Sequence, residues 1–451
     1  MKSKAFTIFV HITTSLLLLI AGPIKAQNLD RHFEVCGNID NAFSTELMIG
    51  SCSEIIKSEG VIAQNRAVAF LNRGNGYSSK NELDLAIPDF NEAIRLAPQY
   101  TVAFLNRGNN YASKGKHAQA ISDYSKAILL NPKYADAFYN RGTIYLDQND
   151  LFRANADFGQ AIQLNPNYAS AFYNRGNVRL RQNDLKRAIA DYDQAVRIDP
   201  NFLAALVNRG GAYQDQRDYN RAIADYNKAI AIDPNLAQAF NDRGTAYQDK
   251  GDFEQALRDY NEAIRLNPKY AHAFNNRGFA FYSQNKLPRA ITDYSQAINL
   301  SPEYVLAIMN RGDAYYTRKQ YHKAISDYSK AIELEPQNAL ALNNRGASHL
   351  AQKEFARAIG DYDRALRYSP KKLLALKGRG NTNLHLANWE AAKEDYSTAL
   401  EQNPDSAEAL FGLGFAKIRL GMIGQGKADI AAASKANPSV AERFAKEGLK
   451  P

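Results

Sequence analysis

The sequence is short of the residues that most chemistry needs. It has two cysteines, one tryptophan, four methionines and seven scattered histidines among 451 residues. No HExxH, no nucleophile elbow and no phosphate-binding loop appears, so the common hydrolase and nucleotide-binding readings have no residues to stand on. The cysteines, Cys36 and Cys52, lack a CxxC partner or a nearby histidine pair, which argues against a four-ligand metal site. Neither follows the early apolar run closely enough to suggest a lipid-modified start. Beyond residue 26 no stretch is long and apolar enough to cross a bilayer, which takes about 20 apolar residues. A strong excess of charge is also missing. The net charge is +9, and setting aside Lys2, Lys4 and Lys25 lowers it to +6, spread over both signs. That balance gives no support to a nucleic-acid partner.

The early lysines flank the one apolar run. Lys2 and Lys4 precede Ala5 to Ile20, Ala21-Gly-Pro breaks the run, and Ala26-Gln27 is a plausible cut. Positive flank, short apolar core and small residue make the pattern of an export signal. The expectation is a signal peptide over 1–26, with an uncleaved anchor as the competing reading. The chain would then be exported, to the periplasm or beyond, with no membrane insertion once the signal is removed. In that setting Cys36 and Cys52 are readily oxidised, and a disulfide would pin an N-terminal capping segment, 27–66. Two buried free thiols are the alternative. Ser44 to Ser58 reads as a helix of that cap.

What the chain has in abundance is a period of 34 residues. Glycine recurs from Gly74 to Gly414 and proline from Pro98 to Pro438, giving eleven copies over 67–440. In the second copy Phe104, Gly108 and Tyr111 are spaced for one helix face, and Ala120, Tyr124 and Ala127 for another. Ser113-Lys-Gly-Lys is a polar turn between them, and Pro132 ends the second helix. Glycine inside a helix costs about 1 kcal/mol relative to alanine, so the column needs a reason. Close approach of the partner helix, with the small Ala120 column opposite, is the expected one.

This order of aromatic, Gly, Tyr, Ala, aromatic, Ala and Pro resembles the tetratricopeptide repeat, a helix-turn-helix unit. The resemblance implies an all-α fold: a right-handed α-solenoid superhelix of eleven repeats with N- and C-terminal capping helices, and with one helix of each pair lining a concave groove. Residues 441–451 would form the C-terminal cap. Forty residues precede the array after the signal and 11 follow it. Neither remnant could fold as a catalytic domain, so the expectation is a protein that is not an enzyme and carries no cofactor.

Three polar columns run in register. Arginine stands before each glycine, as in Arg107, Arg141 and Arg175, and only Leu413 breaks the series. Aspartate recurs on the second helix, as in Asp123, Asp157 and Asp191. Both lie on the flank of a buried face, so structural ion pairs between neighbouring helices are preferred to a ligand-binding charge track. The third column is Asn72, Asn106, Asn140, Asn174, Asn208, Asp242, Asn276, Asn310 and Asn344, with glycines at 378 and 412. It is similar to the asparagine ladder of the O-linked N-acetylglucosamine transferase repeats. That resemblance implies side-chain amides holding the backbone of an extended peptide. The competing reading is that these amides bond neighbouring repeats or water. One turn away lie Val68, Val102, Asp136, Gln238, His272, Leu306, Leu340 and Leu374, a mixed lining with leucines toward the C-terminal half.

The reading is therefore a non-catalytic scaffold that binds a protein or peptide partner. A structural, self-associating envelope protein that uses its convex face or ends is the alternative.

Overall fold

The computed structural model describes residues 23–38 and 42–450. The proposed signal falls almost wholly outside them. The described residues form 25 helices, and the chain divides into two units, 1–232 and 233–451. In each unit the repeats stack as antiparallel helix pairs, one pair per 34-residue copy. The N-terminal unit holds the cap and copies one to five, and the C-terminal unit holds copies six to eleven and the final helix.

The second copy shows how each pair is built. Helix A runs from Thr101 to Ser113 and helix B from His117 to Leu130. The turn between them needs one residue in the left-handed region. In this copy Gly115 supplies it at φ 70°, at no steric cost. The same turn position holds Asn81, Asn149, Asn183, Arg217, Asn285, Lys319, Lys353 and Ala387 in other copies, all at positive φ. Geometry there is imposed by the packing of two helices on each other, so residues that enter this region reluctantly are still found in it.

The core lies between the helices of each pair. Phe90, Tyr124, Phe158, Tyr192, Tyr226, Tyr260, Tyr294, Tyr328, Tyr362 and Tyr396 are all buried. Their rings explain the glycine column, and differently from the expectation. A β-carbon on Gly108 would stand 2.7 Å from Tyr124 Cε1, and one on Gly176 would stand 2.6 Å from Tyr192 Cε1. The space is taken by the aromatic ring of helix B more than by the opposing alanine. In the eleventh copy Ile430 replaces the aromatic residue and Gly426 the alanine. Here the backbones themselves meet, because a β-carbon on Gly414 would lie 2.6 Å from the Gly426 carbonyl oxygen.

Two elements close the array. At the N-terminal end, helices Pro23–Gly37 and Thr45–Lys57 pack together, and the Ser44 side chain caps the second of them. The first of these helices was not foreseen. A Cys36–Cys52 disulfide joins the pair, with Cα atoms 4.8 Å apart. Phe33, Met48, Ile55 and Val61 complete this small core. At the other end the last helix runs from Val440 to Lys446.

Candidate functional site

The arginine and aspartate columns form one repeated clamp. Arg107 Nε and Nη2 donate to the two carboxylate oxygens of Asp123 at 2.8 and 2.7 Å. Arg141 meets Asp157 in the same way at 2.8 Å. Arg175 meets Asp191 at 3.0 and 2.7 Å. This bidentate geometry is the one a guanidinium is shaped for. The aspartates are buried, and each arginine keeps about a fifth of its side chain exposed, as at Arg107, 19%. Hydrogen bonding to Asp123 holds the Arg107 pKa above its usual value.

In most copies the third arm of the guanidinium reaches back to helix B of the preceding copy; Arg175 faces Gly159 there. Arg107 Nη1 donates to Asn91 at 2.7 Å, Arg141 to Ser125 at 2.9 Å, and Arg311 to Ser295 at 3.1 Å. Arg73 does the same with Ser53 of the N-terminal cap at 3.1 Å. One side chain thus ties together three helices. In the eleventh copy, where Leu413 stands in the arginine column, Lys417 pairs with Asp429 at 2.8 Å instead.

The asparagines point across the seam between successive A helices. Asn106 Nδ2 donates to Asn75 at 2.8 Å, Asn140 to Asn109 at 2.9 Å, Asn208 to Asn177 at 2.9 Å and Asn344 to Asp313 at 3.0 Å. Each acceptor belongs to the preceding copy and stands just after its glycine. Elsewhere an acceptor one turn earlier takes the rung, alone or beside the first, as Tyr173 does for Asn208 at 3.2 Å. Copy three has Thr143 just after its glycine, and Asn174 donates to Tyr139 Oη at 3.1 Å. Copy seven has Phe279 there, and Asn310 donates to Asn275 at 2.9 Å. Asn276 donates to Asn241 at 3.0 Å and to Thr245 Oγ1 at 3.5 Å. Asp242, which has no N–H to give, accepts from Asn241 at 3.0 Å.

Core tyrosines join the same network. Tyr124 Oη donates to Asn109 at 2.9 Å, Tyr192 to Asn177 at 2.8 Å and Tyr328 to Asp313 at 2.6 Å. Asn109, Asn177 and Asp313 are therefore junctions, taking one bond from their own copy and one from the next. Burial pushes the carboxyl of Asp313 above the ordinary carboxylate range, against the pull of its two donors. Asp242 is raised for the same reason.

This geometry narrows what the column can hold. Asn72 and Asn106 are buried, so neither can touch a ligand, contrary to the expectation for both. Asn72 Nδ2 is spent on the Cys36 carbonyl at 3.1 Å. Asn140, Asn174, Asn208, Asp242, Asn276, Asn310 and Asn344 remain partly exposed. A primary amide has two N–H groups and two lone pairs, so one rung leaves capacity over. The same face also carries apolar side chains that the core does not use. Leu306 and Leu374 are each 54% exposed, and Leu340 and Phe279 each 42%. Each leucine lies one turn before the asparagine column, and Phe279 lies three residues after Asn276.

Family models match most of the array, from residue 67 to residue 421. A TPR repeat model matches residues 108–149, 244–285, 280–318 and 312–353. Tetratricopeptide repeat models match 67–100, 139–202, 173–237, 225–258, 339–372 and 378–421. The chain belongs to the tetratricopeptide repeat family. No curated protein matches it. Among solved structures it is similar to YrrB, described as a TPR protein with an unusual peptide-binding site. The identity is 25%, over 41% of this chain and 95% of that one, with a TM-score of 0.38. A tetratricopeptide repeat protein from Parabacteroides merdae is 21% identical over 55% of this chain and 98% of its own, with a TM-score of 0.46. PilF of Pseudomonas aeruginosa is 21% identical over 46% and 94%, with a TM-score of 0.41.

Among the described residues no helix is long and apolar enough to cross a membrane, and no cluster of three or more His, Cys, Asp or Glu could hold a metal.

Proposed function

We propose that this tetratricopeptide repeat protein is an exported, non-catalytic scaffold that binds extended segments of partner proteins along its asparagine face. The observation that carries the reading is the exposed apolar row of Leu306, Leu340 and Leu374, one per copy in three successive copies. Exposed apolar side chains that share one face mark a binding surface more often than isolated ones do. The partly exposed amides beside them, Asn310 and Asn344 among them, can donate to and accept from a peptide backbone without reading its side chains. The ladder presents these amides in fixed orientation, which lowers the ordering cost of binding.

The leucines separate this reading from its rivals. Leu306→Asp, Leu340→Asp and Leu374→Asp together should abolish partner recovery from envelope extract. The control carries Leu129→Asp and Phe152→Asp, at exposed positions on B helices, and should recover partners as the parent does. Equal recovery by both variants would remove the asparagine face from the account. Export is supported by the Cys36–Cys52 disulfide, which persists in oxidising compartments. The intact mass of the chain taken from the envelope tests the cut: a chain still carrying residues 1–26 would overturn it.

A further inference from the structure

Val440–Lys446 continues the repeat register. Phe444 falls 34 residues after Leu410 and Gly448 falls 34 after Gly414, so this segment begins a twelfth copy. It does not sit where a twelfth A helix would. Glu447 Oε2 accepts from Asn381 Nδ2 at 2.9 Å, a residue two copies back. Arg443 pairs with Glu408, which Lys377 also meets at 2.6 Å. Phe444 is fully buried, with its ring centroid 4.6 Å from that of Phe411. Arg419 Nη2 donates to the Lys450 carbonyl at 3.1 Å. Gly448, at φ 86°, turns the chain after the helix.

These partners share one side. Asn381 stands just after its glycine, the position that accepts a rung elsewhere. Glu408 stands in the column of Leu306, Leu340 and Leu374. The last helix therefore lies on the asparagine face of copies ten and eleven, in line with the exposed leucines. The sequence is arranged for this. Gly412 occupies the asparagine column of the eleventh copy, so no rung reaches the Asn381 oxygen, while its Nδ2 is given to Glu447. The Asn381 Oδ1 is itself buried without a partner.

We propose that this end of the face is a docking subsite for a short helix of a partner protein, held in cis by the chain's own C-terminal helix. The segment it takes carries an aromatic residue, an arginine just before it and a carboxylate three residues after it, as in Arg443-Phe444-Ala-Lys-Glu447. The aromatic ring lies against Phe411, the arginine meets Glu408, and the carboxylate meets Asn381. The proposal rests on the binding role given to this face and adds the partner's chemistry.

A fluorescently labelled peptide of residues 439–450 is the probe, titrated into the full chain and followed by anisotropy. Arg443→Ala with Glu447→Ala loosens the resident helix, and this variant should bind the peptide at least ten-fold more tightly than the parent. Adding Asn381→Ala or Glu408→Gln should reverse the gain. A second variant, Phe444→Asp, removes the buried ring and should also open the subsite. Equal binding by the parent and both variants, weak or strong, would overturn the proposal. So would a gain that survives the change at Asn381 and Glu408. Partner recovery through Leu306, Leu340 and Leu374 is read separately, so a failed subsite and a failed binding face give different results.

Discussion

The two ends of the asparagine ladder are closed by different means. Except at Asp242 the rungs donate toward the N-terminus, so the first needs an acceptor ahead of it, while beyond the last, Asn344, no rung reaches Asn381. At the start, the acceptor is a backbone carbonyl, that of Cys36, on a two-helix cap that a disulfide locks. Past the finish, the Nδ2 of Asn381 is met by a carboxylate on one short helix, held by ion pairs and by the buried side chains of Val440, Phe444 and, just after it, Leu449. A carbonyl fixed by a covalent bond cannot leave without unfolding the cap. A seven-residue helix held by side chains can be exchanged, because local opening needs only the loss of its own few contacts. The first end is built as a stop and the second as a latch.

The comparison breaks first at Arg73, the clamp that joins the cap to the array. Arg73→Leu leaves Asp89 buried without its cation and frees Ser53. The expected loss is about 3 kcal/mol, the low end for removing one partner of a buried pair, since Arg73 is partly exposed. Nearest-neighbour coupling should confine most of it to the cap and the first copy. Hydrogen exchange checks this: amides of Thr45–Lys57 and Ala63–Ser79 should lose protection while those of copies nine to eleven keep it. Uniform loss along the chain would mean that the clamps act collectively. Leu413 shows that the array tolerates leucine in this column, where Lys417 takes over the aspartate.

Removing the covalent stop should cost slightly less. Cys36→Ser with Cys52→Ser opens a loop of 16 residues, worth about 3 kcal/mol at most in the chain-entropy picture. The cap's own denaturation midpoint should fall under reducing conditions in the parent and be insensitive to reductant in the variant. A cap that melts identically with and without reductant in the parent would show that its small core, not the bridge, holds it.

These ends also show what could be read from residues alone. The 34-residue period made the helix pairs, the turns and the register legible, because apolar spacing reports which face is buried. The glycine column was legible as a tight approach, but its cause was not. That required knowing that the ring of Tyr124 lies over Gly108. The arginine and aspartate columns could be placed on facing flanks by a helical wheel. Their third bond, to helix B of the preceding copy, depends on the rise between copies, which no wheel contains. The asparagines illustrate the limit most clearly. A wheel puts Asn140 opposite the buried face and suggests a free amide. It says nothing of Asn109, 31 residues earlier, whose oxygen the amide takes. One signal was available: Ala347, which has no acceptor, is followed one copy later by Gly378, which has no donor. The swung position of the last helix had no such signature: Gly412 answers to the Tyr396 ring, with whose Cζ a β-carbon there would collide.

The smallest effect tests the ladder's chemistry toward its latch. Acceptors in the early copies, Asn75, Asn109 and Asn177, are neutral amides. In copy eight the acceptor is the carboxyl of Asp313, which burial holds above its ordinary pKa. A group that keeps its proton longer when folded destabilises the fold as pH rises. The unfolded chain ionises first, so stability should fall through the ordinary carboxylate range and level off once the buried carboxyl has also ionised. Asp313→Asn keeps an oxygen to accept from Tyr328 and Asn344 and removes the titration. Below the carboxylate range the variant and parent should be equally stable. Above it the variant should be the more stable by well under the cost of a lost clamp, which chemical denaturation across pH would detect. A variant less stable than the parent at neutral pH would show that the charge on Asp313 strengthens its two bonds by more than its burial costs, and that the rungs near the latch are held by charge.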